Sequence, residues 1–171
     1  LMKQLPNLLT LSNLLCGVLA MNSSMHGYFD VAGVFILLAA AFDAVDGRAA
    51  RRVGNASEFG KELDSLADIV SFGAAPMIIL LGTAGNGYLK FFVAAVFLSC
   101  AAIRLARFNS TQSNLKYFVG IPVPLAALLS LLARFTVNSN FVYYIIVLSL
   151  GILMISNVRL PNFKNLESTE E

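Results

Sequence analysis

The sequence is short of charge. Asp, Glu, Lys and Arg make up 13% of its 171 residues, about half the roughly 25% of a soluble domain. There is no tryptophan, one histidine and only two cysteines. Cys16 and Cys100 each sit inside an apolar run without CxxC or Cys/His spacing. They read as small hydrophobes packed between helices, not as a disulfide or a metal site. His26 falls in a short polar stretch and reads as a solvated loop residue. A net charge of +2 is too small to attract nucleic acid. The first apolar stretch contains Asn13 and lacks a small-residue cleavage pattern, so no cleavable signal peptide is expected.

What fills the sequence is apolar: 57% of the residues, with a mean hydropathy of +0.74. This is the composition of an integral membrane protein. Six stretches approach the ~20 predominantly apolar residues of a membrane helix: Asn7–Ser23, Tyr28–Val45, Leu63–Gly82, Leu89–Ala106, Val119–Phe135 and Phe141–Val158. Turn chemistry separates several of them, at His26-Gly27, Thr83–Gly87 and Asn138–Asn140. The expected fold is all-α: a six-helix transmembrane domain over residues 1–160, followed by a polar tail over 161–171. Cytoplasmic loops keep positive charge. With six spans, Lys3, Arg48, Arg51, Arg52, Lys61, Arg104, Arg107, Lys116, Arg159 and Lys164 fall on one side, against Lys90 and Arg134 on the other. Both termini, and the segments 44–62 and 104–116, are therefore expected in the cytoplasm.

The informative stretch is Asp43-Ala-Val-Asp46-Gly47-Arg48-Ala49-Ala50-Arg51, then eight residues, then Gly60-Lys-Glu-Leu-Asp64-Ser-Leu-Ala-Asp68. Asp43, Asp46, Gly47, Ala50 and Arg51 fall on one face of a helix, and Gly60, Asp64 and Asp68 on one face of another. The first helix must run past the bilayer edge to about Arg51. The second is expected to start near Asn55, which with Glu58 forms a capping box, after a turn around Val53-Gly54. Four carboxylates brought together at a membrane edge repel one another and are costly to desolvate. Protonation or bound cations relieve this, and hard Mg²⁺ or Mn²⁺ suits an all-oxygen cluster. Gly47, Ala50 and Gly60 on the same faces leave room for a flat or bulky ligand. A lone Asp at a helix end is usually only solvated; four on two facing stripes point to function.

The pattern Asp-x-x-Asp-Gly-x-x-Ala-Arg, eight residues, Gly-x-x-x-Asp-x-x-x-Asp resembles the signature of the CDP-alcohol phosphotransferases at every specified position. The resemblance implies that two divalent cations, Mg²⁺ or Mn²⁺, are held by Asp43, Asp46, Asp64 and Asp68. It implies that Gly47, Ala50 and Gly60 border the cytidine nucleotide and that Asp68 is the general base. CDP-diacylglycerol would be the donor, and a homodimer is implied as well. Arg51 either stabilises a phosphate oxygen or is a simple interfacial charge. Asn7, Thr10 and Asn13 share a face of the first span and read equally as a nucleotide border or as a cap with interhelical hydrogen bonds. Small residues such as Gly33, Gly73, Ala74 and Ala75 allow close helix packing.

A second pair of motifs, Arg104-Leu-Ala-Arg107-Phe-Asn109 and Phe118-Val-Gly120-Ile-Pro122-Val-Pro124, resembles the branch of that family that uses serine. Arg104 and Arg107, three apart, are expected to point the same way and to bind the carboxylate of L-serine. Glycerol 3-phosphate carries an anion too and stays open as acceptor. Their bland reading is topological: positive charges at a cytoplasmic helix end. Two other classes fit the spacing less well. Intramembrane prenyltransferases separate their Asp motifs over a larger bundle, whereas both pairs here lie between residues 43 and 68. A cation transporter places carboxylates at several depths, whereas these cluster at one edge.

Overall fold

The computed structural model describes residues 5–53, 58–85, 87–110, 118–156 and 159–160, and the side chains of 6–48, 58–85, 87–110 and 120–156. Gly54 of the expected turn, Asn55 of the expected capping box and the tail from Pro161 lie outside them, as do the side chains of Ala50 and Arg51.

The architecture is all-helical. α1 (Leu5–Met25) turns at Gly27, whose φ of 82° needs no Cβ, into α2 (Phe29–Val53). A third rod follows without a break: α3 (Glu58–Asp68), a π-helical stretch over Ile69–Ala74, and α4 (Ala75–Leu81). Then come α5 (Gly87–Ser110), α6 (Val123–Thr136) and α7 (Asn140–Ile155). The second span was expected to extend to about Arg51, and α2 runs to Val53. The fifth and sixth are shorter than expected. α6 starts at Val123, with Pro122 as its cap and Pro124 in its first turn, where a missing N–H costs nothing. The residues before it, Phe118–Val119 (β1), pair antiparallel with Arg159–Leu160 (β2), a two-residue ladder that no sequence pattern announced. Gly120 (φ 78°) sits so close to the Met154 carbonyl that a Cβ has no room there.

Among the described residues, three helical stretches are long and apolar enough to cross a membrane: Pro6–Met25, Glu58–Leu81 and Gly87–Ser110. α2 has the length, but it gathers Asp43, Asp46 and three arginines in its second half. α6 and α7, with 14 and 16 residues, are apolar but below the ~20 residues of a full span.

α1 lies along α2 and against the third rod, and α7 packs on both α5 and α6. Small residues allow the close approaches. Ala20, Ala32 and Ala39 are buried in the contacts of α1 and α2, while Phe72, Phe97, Tyr143 and Val147 fill the centre. The candidate packing residues serve contacts within the chain: Gly33 meets Leu131 and Phe135, Gly73 meets Ile69 and Leu98, and Ala75 is fully buried. Large apolar side chains such as Leu15, Leu37, Phe91, Phe92 and Ile152 face outward, as they must in a bundle whose solvent is lipid. At one end, Lys90 Nζ donates to the Leu81 and Thr83 carbonyls at 2.7 and 2.9 Å, satisfying the end of α4. Cys16 and Cys100 are buried and free, and His26 is exposed with Nδ1 2.8 Å from the Asn22 carbonyl.

A close helix–helix contact joins Gly17 of α1 to Ser71 of the π-helical stretch, where a Cβ would collide with the serine hydroxyl and stand 2.8 Å from its Cα. Gly17→Val is therefore expected to cost about 1–3 kcal/mol from overpacking. Gly87→Ala, with nothing within 4 Å of the added carbon, should stay within about 0.5 kcal/mol of the parent. Thermal unfolding in detergent measures both.

Candidate active site

The site lies where the second half of α2 meets α3. Helical spacing turns Asp43 and Asp46 to one side of α2, and Asp64 and Asp68 face them from α3. One carboxylate oxygen from each of Asp43, Asp64 and Asp68 falls within 4.8 Å of the others. Asp46 stands beside this trio, close enough for its charge to reach Asp64 and Asp68. Asp46 and Asp68 are buried, at 5% and 7% exposure; Asp43 and Asp64 are half-buried.

α1 supplies the polar wall. The Thr10 hydroxyl lies 3.0 Å from both Asp46 Oδ2 and the Pro6 carbonyl, so its single proton is shared between them. Asn13 Nδ2 donates to Asp68 Oδ1 at 3.2 Å. Ser71 donates to the Asn13 backbone carbonyl at 2.9 Å, so the π-helical stretch that starts one residue after Asp68 also holds the residue that binds Asp68. π-Helical stretches are rare and concentrate at functional sites. The polar face read in α1 thus contacts the aspartates through Thr10 and Asn13. Asn7 is half-buried near the start of the helix.

The signature glycines line up with the carboxylates, Gly47 on α2 and Gly60 on α3, both half-buried. Behind α3, Ser65 donates to Asn109 Oδ1 and Asn109 Nδ2 donates to Glu62, each at 3.2 Å. That tie between α3 and α5 fixes the rod carrying Asp64 and Asp68. Sequence reasoning assigned it no role, because the pairing spans more than 40 positions.

The two arginines part company. Arg104 is half-buried, its charge interacts with Asp68, and its buried Nε has no hydrogen-bond partner among the described residues. Arg107 is exposed and donates to the Ile155 carbonyl at 3.3 Å, at the end of α7.

The arrangement fits divalent cations on its own chemistry. Its donor set is all carboxylate oxygen, the preference of hard cations. Asp64 Oδ1 is buried without a partner among the described residues, although buried polar atoms are nearly always satisfied.

A catalytic transferase family matches this frame. The chain belongs to the CDP-alcohol phosphatidyltransferase family, whose model matches residues 3–157. It is 35% identical to the CDP-diacylglycerol–serine O-phosphatidyltransferase of Bacillus subtilis (strain 168), over 98% of each chain. The enzyme of the same name from Methanocaldococcus jannaschii is 37% identical over 91% of this chain and 73% of its own. The archaetidylserine synthase of Methanothermobacter thermautotrophicus is 35% identical over 92% and 69%.

Neutralising one acid should change stability with opposite signs in the two metal states. In chelator, Asp64→Asn relieves like-charge crowding and is expected to unfold at a higher temperature than the parent. In Mn²⁺ at a hundred times its dissociation constant, the parent should gain about 2.7 kcal/mol and the variant much less. Thermal unfolding in the two buffers checks it.

Proposed function

We propose that this chain transfers the phosphatidyl group of CDP-diacylglycerol to L-serine, giving phosphatidylserine and CMP. The observation that carries the reading is the convergence of Asp43, Asp64 and Asp68 within 4.8 Å beside Arg104. The names borne by the relatives above support the donor and the acceptor.

Asp43, Asp46, Asp64 and Asp68 hold two divalent cations, Mg²⁺ or Mn²⁺. Bound there, such ions neutralise the diphosphate and the departing phosphate of CMP. Gly47, Ala50 and Gly60, with Asn7 and Thr10, border the nucleotide, and Arg51 contacts a phosphate oxygen. Asp68 accepts the proton of the serine hydroxyl as its oxygen bonds to the lipid-bearing phosphorus and the bond to CMP breaks. The Asn13 amide keeps the Asp68 carboxylate turned toward that proton. Arg104 takes the serine carboxylate with its unfilled donors. Arg107, bound at the end of α7, shapes the acceptor side from behind. Attack is direct, because among the described residues no Ser, Cys or His stands paired with a base at the carboxylates.

The reading includes six membrane crossings, with both termini and the aspartates on the cytoplasmic side. The ten-to-two division of lysines and arginines supports that orientation. It also includes a homodimer, carried by the family resemblance alone.

CMP release from CDP-diacylglycerol in sealed vesicles tests the whole reading. Release should require Mn²⁺ or Mg²⁺ and L-serine supplied on the arginine-rich face, and neither glycerol 3-phosphate nor inositol should replace serine. Asp68→Asn should lower kcat by about 10²–10⁴. Arg104→Gln should raise the KM for serine about tenfold or more, as expected for a lost charge-assisted pair, with Arg107→Gln much milder. Release with another acceptor would keep the chemistry and discard the role of Arg104.

A further inference from the structure

The other end of the bundle holds a second concave site that the aspartate chemistry does not use. A cavity of about 350 Å³ is lined by the Gly27–Val31 turn together with Arg134 and Phe135. It opens about 24 Å from Asp46 along α2, from the sixteen-residue separation at ~1.5 Å per residue. Its volume sits at the low end of the roughly 300–1,000 Å³ of ligand sites.

Three features give it a chemical character. The Arg134 guanidinium lies over the Phe29 ring, 5.6 Å from its centroid, and the ring is itself pressed against Gly82. Arg134 Nε is buried and has no hydrogen-bond partner among the described residues. The place of Arg134 in the last turn of α6 accounts for a positive charge there, but not for a buried donor left unfilled. Next, Ala32 is the first amide of α2 bonded back to the turn, to the Tyr28 carbonyl. The amides of Phe29, Asp30 and Val31 are therefore first-turn amides without intrahelical acceptors, on residues that line the cavity. Finally, the same lining carries the carboxylate of Asp30, which is exposed.

A guanidinium and a helix N-terminus select a phosphate. A carboxylate in the same cavity disfavours a bare anion and selects a ligand that also carries a cation. We propose that this cavity binds the head group of a zwitterionic phospholipid, in the leaflet opposite the aspartates, with the phosphodiester at Arg134 and the start of α2 and the ammonium at Asp30. The position suits a lipid: the cavity is at a bundle end and is flanked by outward-facing Val31, Val34 and Phe135.

Native mass spectrometry of the full chain in detergent, with phosphatidylethanolamine, phosphatidylglycerol or inorganic phosphate added, tests the proposal. Phosphatidylethanolamine should be retained in preference to the other two. Arg134→Gln should weaken that retention about tenfold, with thermal unfolding confirming that the variant is folded. Asp30→Asn, a change at an exposed side chain that does not threaten folding, should move the preference toward phosphatidylglycerol. Preferred retention of phosphatidylglycerol by the parent would overturn the proposal, as would inorganic phosphate displacing the lipid. An unchanged lipid preference in Asp30→Asn, or undiminished retention in folded Arg134→Gln, would overturn it equally.

Discussion

Like charges crowded together in an apolar bundle set the terms for everything around them. Two carboxylates about 4 Å apart repel by roughly 4 kcal/mol even at an effective dielectric of 20, and Asp43, Asp64 and Asp68 stand within 4.8 Å of one another with Asp46 beside them. A hydrogen bond to a charged group returns only about 1.5–3 kcal/mol. Thr10 and Asn13 offer one such bond each, so the protein's own donors do not balance the cluster. In the proposed reading bound cations would do so, and a diphosphate held by them would complete the charge pattern. The acids would then be unfavourable to the empty fold and useful to the loaded one, the relation expected of a site whose ligand contributes to stability.

The frame around the acids is built to hold them despite that repulsion. Gly17 lets α1 touch Ser71, Ser71 holds the Asn13 carbonyl, and the Asn13 amide holds Asp68. The first two links join α1 to the π-helical segment, and the third joins it to the last residue of α3. On the far side of α3, Ser65, Asn109 and Glu62 tie the rod to α5. Two helices bearing like charges are therefore fastened from outside, through uncharged side chains of α1 and the Asn109 amide of α5.

Much of this was legible in the sequence. The spacing 43, 46, 47 and 60, 64, 68 put the acids and glycines on two helix faces, because helical periodicity survives any tertiary context. The run of α2 past the apolar stretch followed from the same spacing. The polar stripe of α1 was visible, but its partners were not: Thr10 meets Asp46 and Asn13 meets Asp68 across 36 and 55 positions, and no local pattern encodes such a pairing. The π-helical stretch had no signature either, since Ile69–Ala74 reads as ordinary apolar helix. Arg104 and Arg107 looked alike at a separation of three. They differ because one faces the acids while the other reaches the end of α7, a neighbour fixed only by packing.

Counting the metal ions tests the central claim most directly. Mn²⁺ titrated into the purified chain with CDP-diacylglycerol present can be followed by electron paramagnetic resonance. Two ions per chain are expected, magnetically coupled as a pair about 4 Å apart must be, with both the coupling and the second ion lost in Asp43→Asn. No bound Mn²⁺, or binding that survives replacement of Asp43 and Asp64 together, would contradict the assignment of these carboxylates to a metal-assisted transferase site.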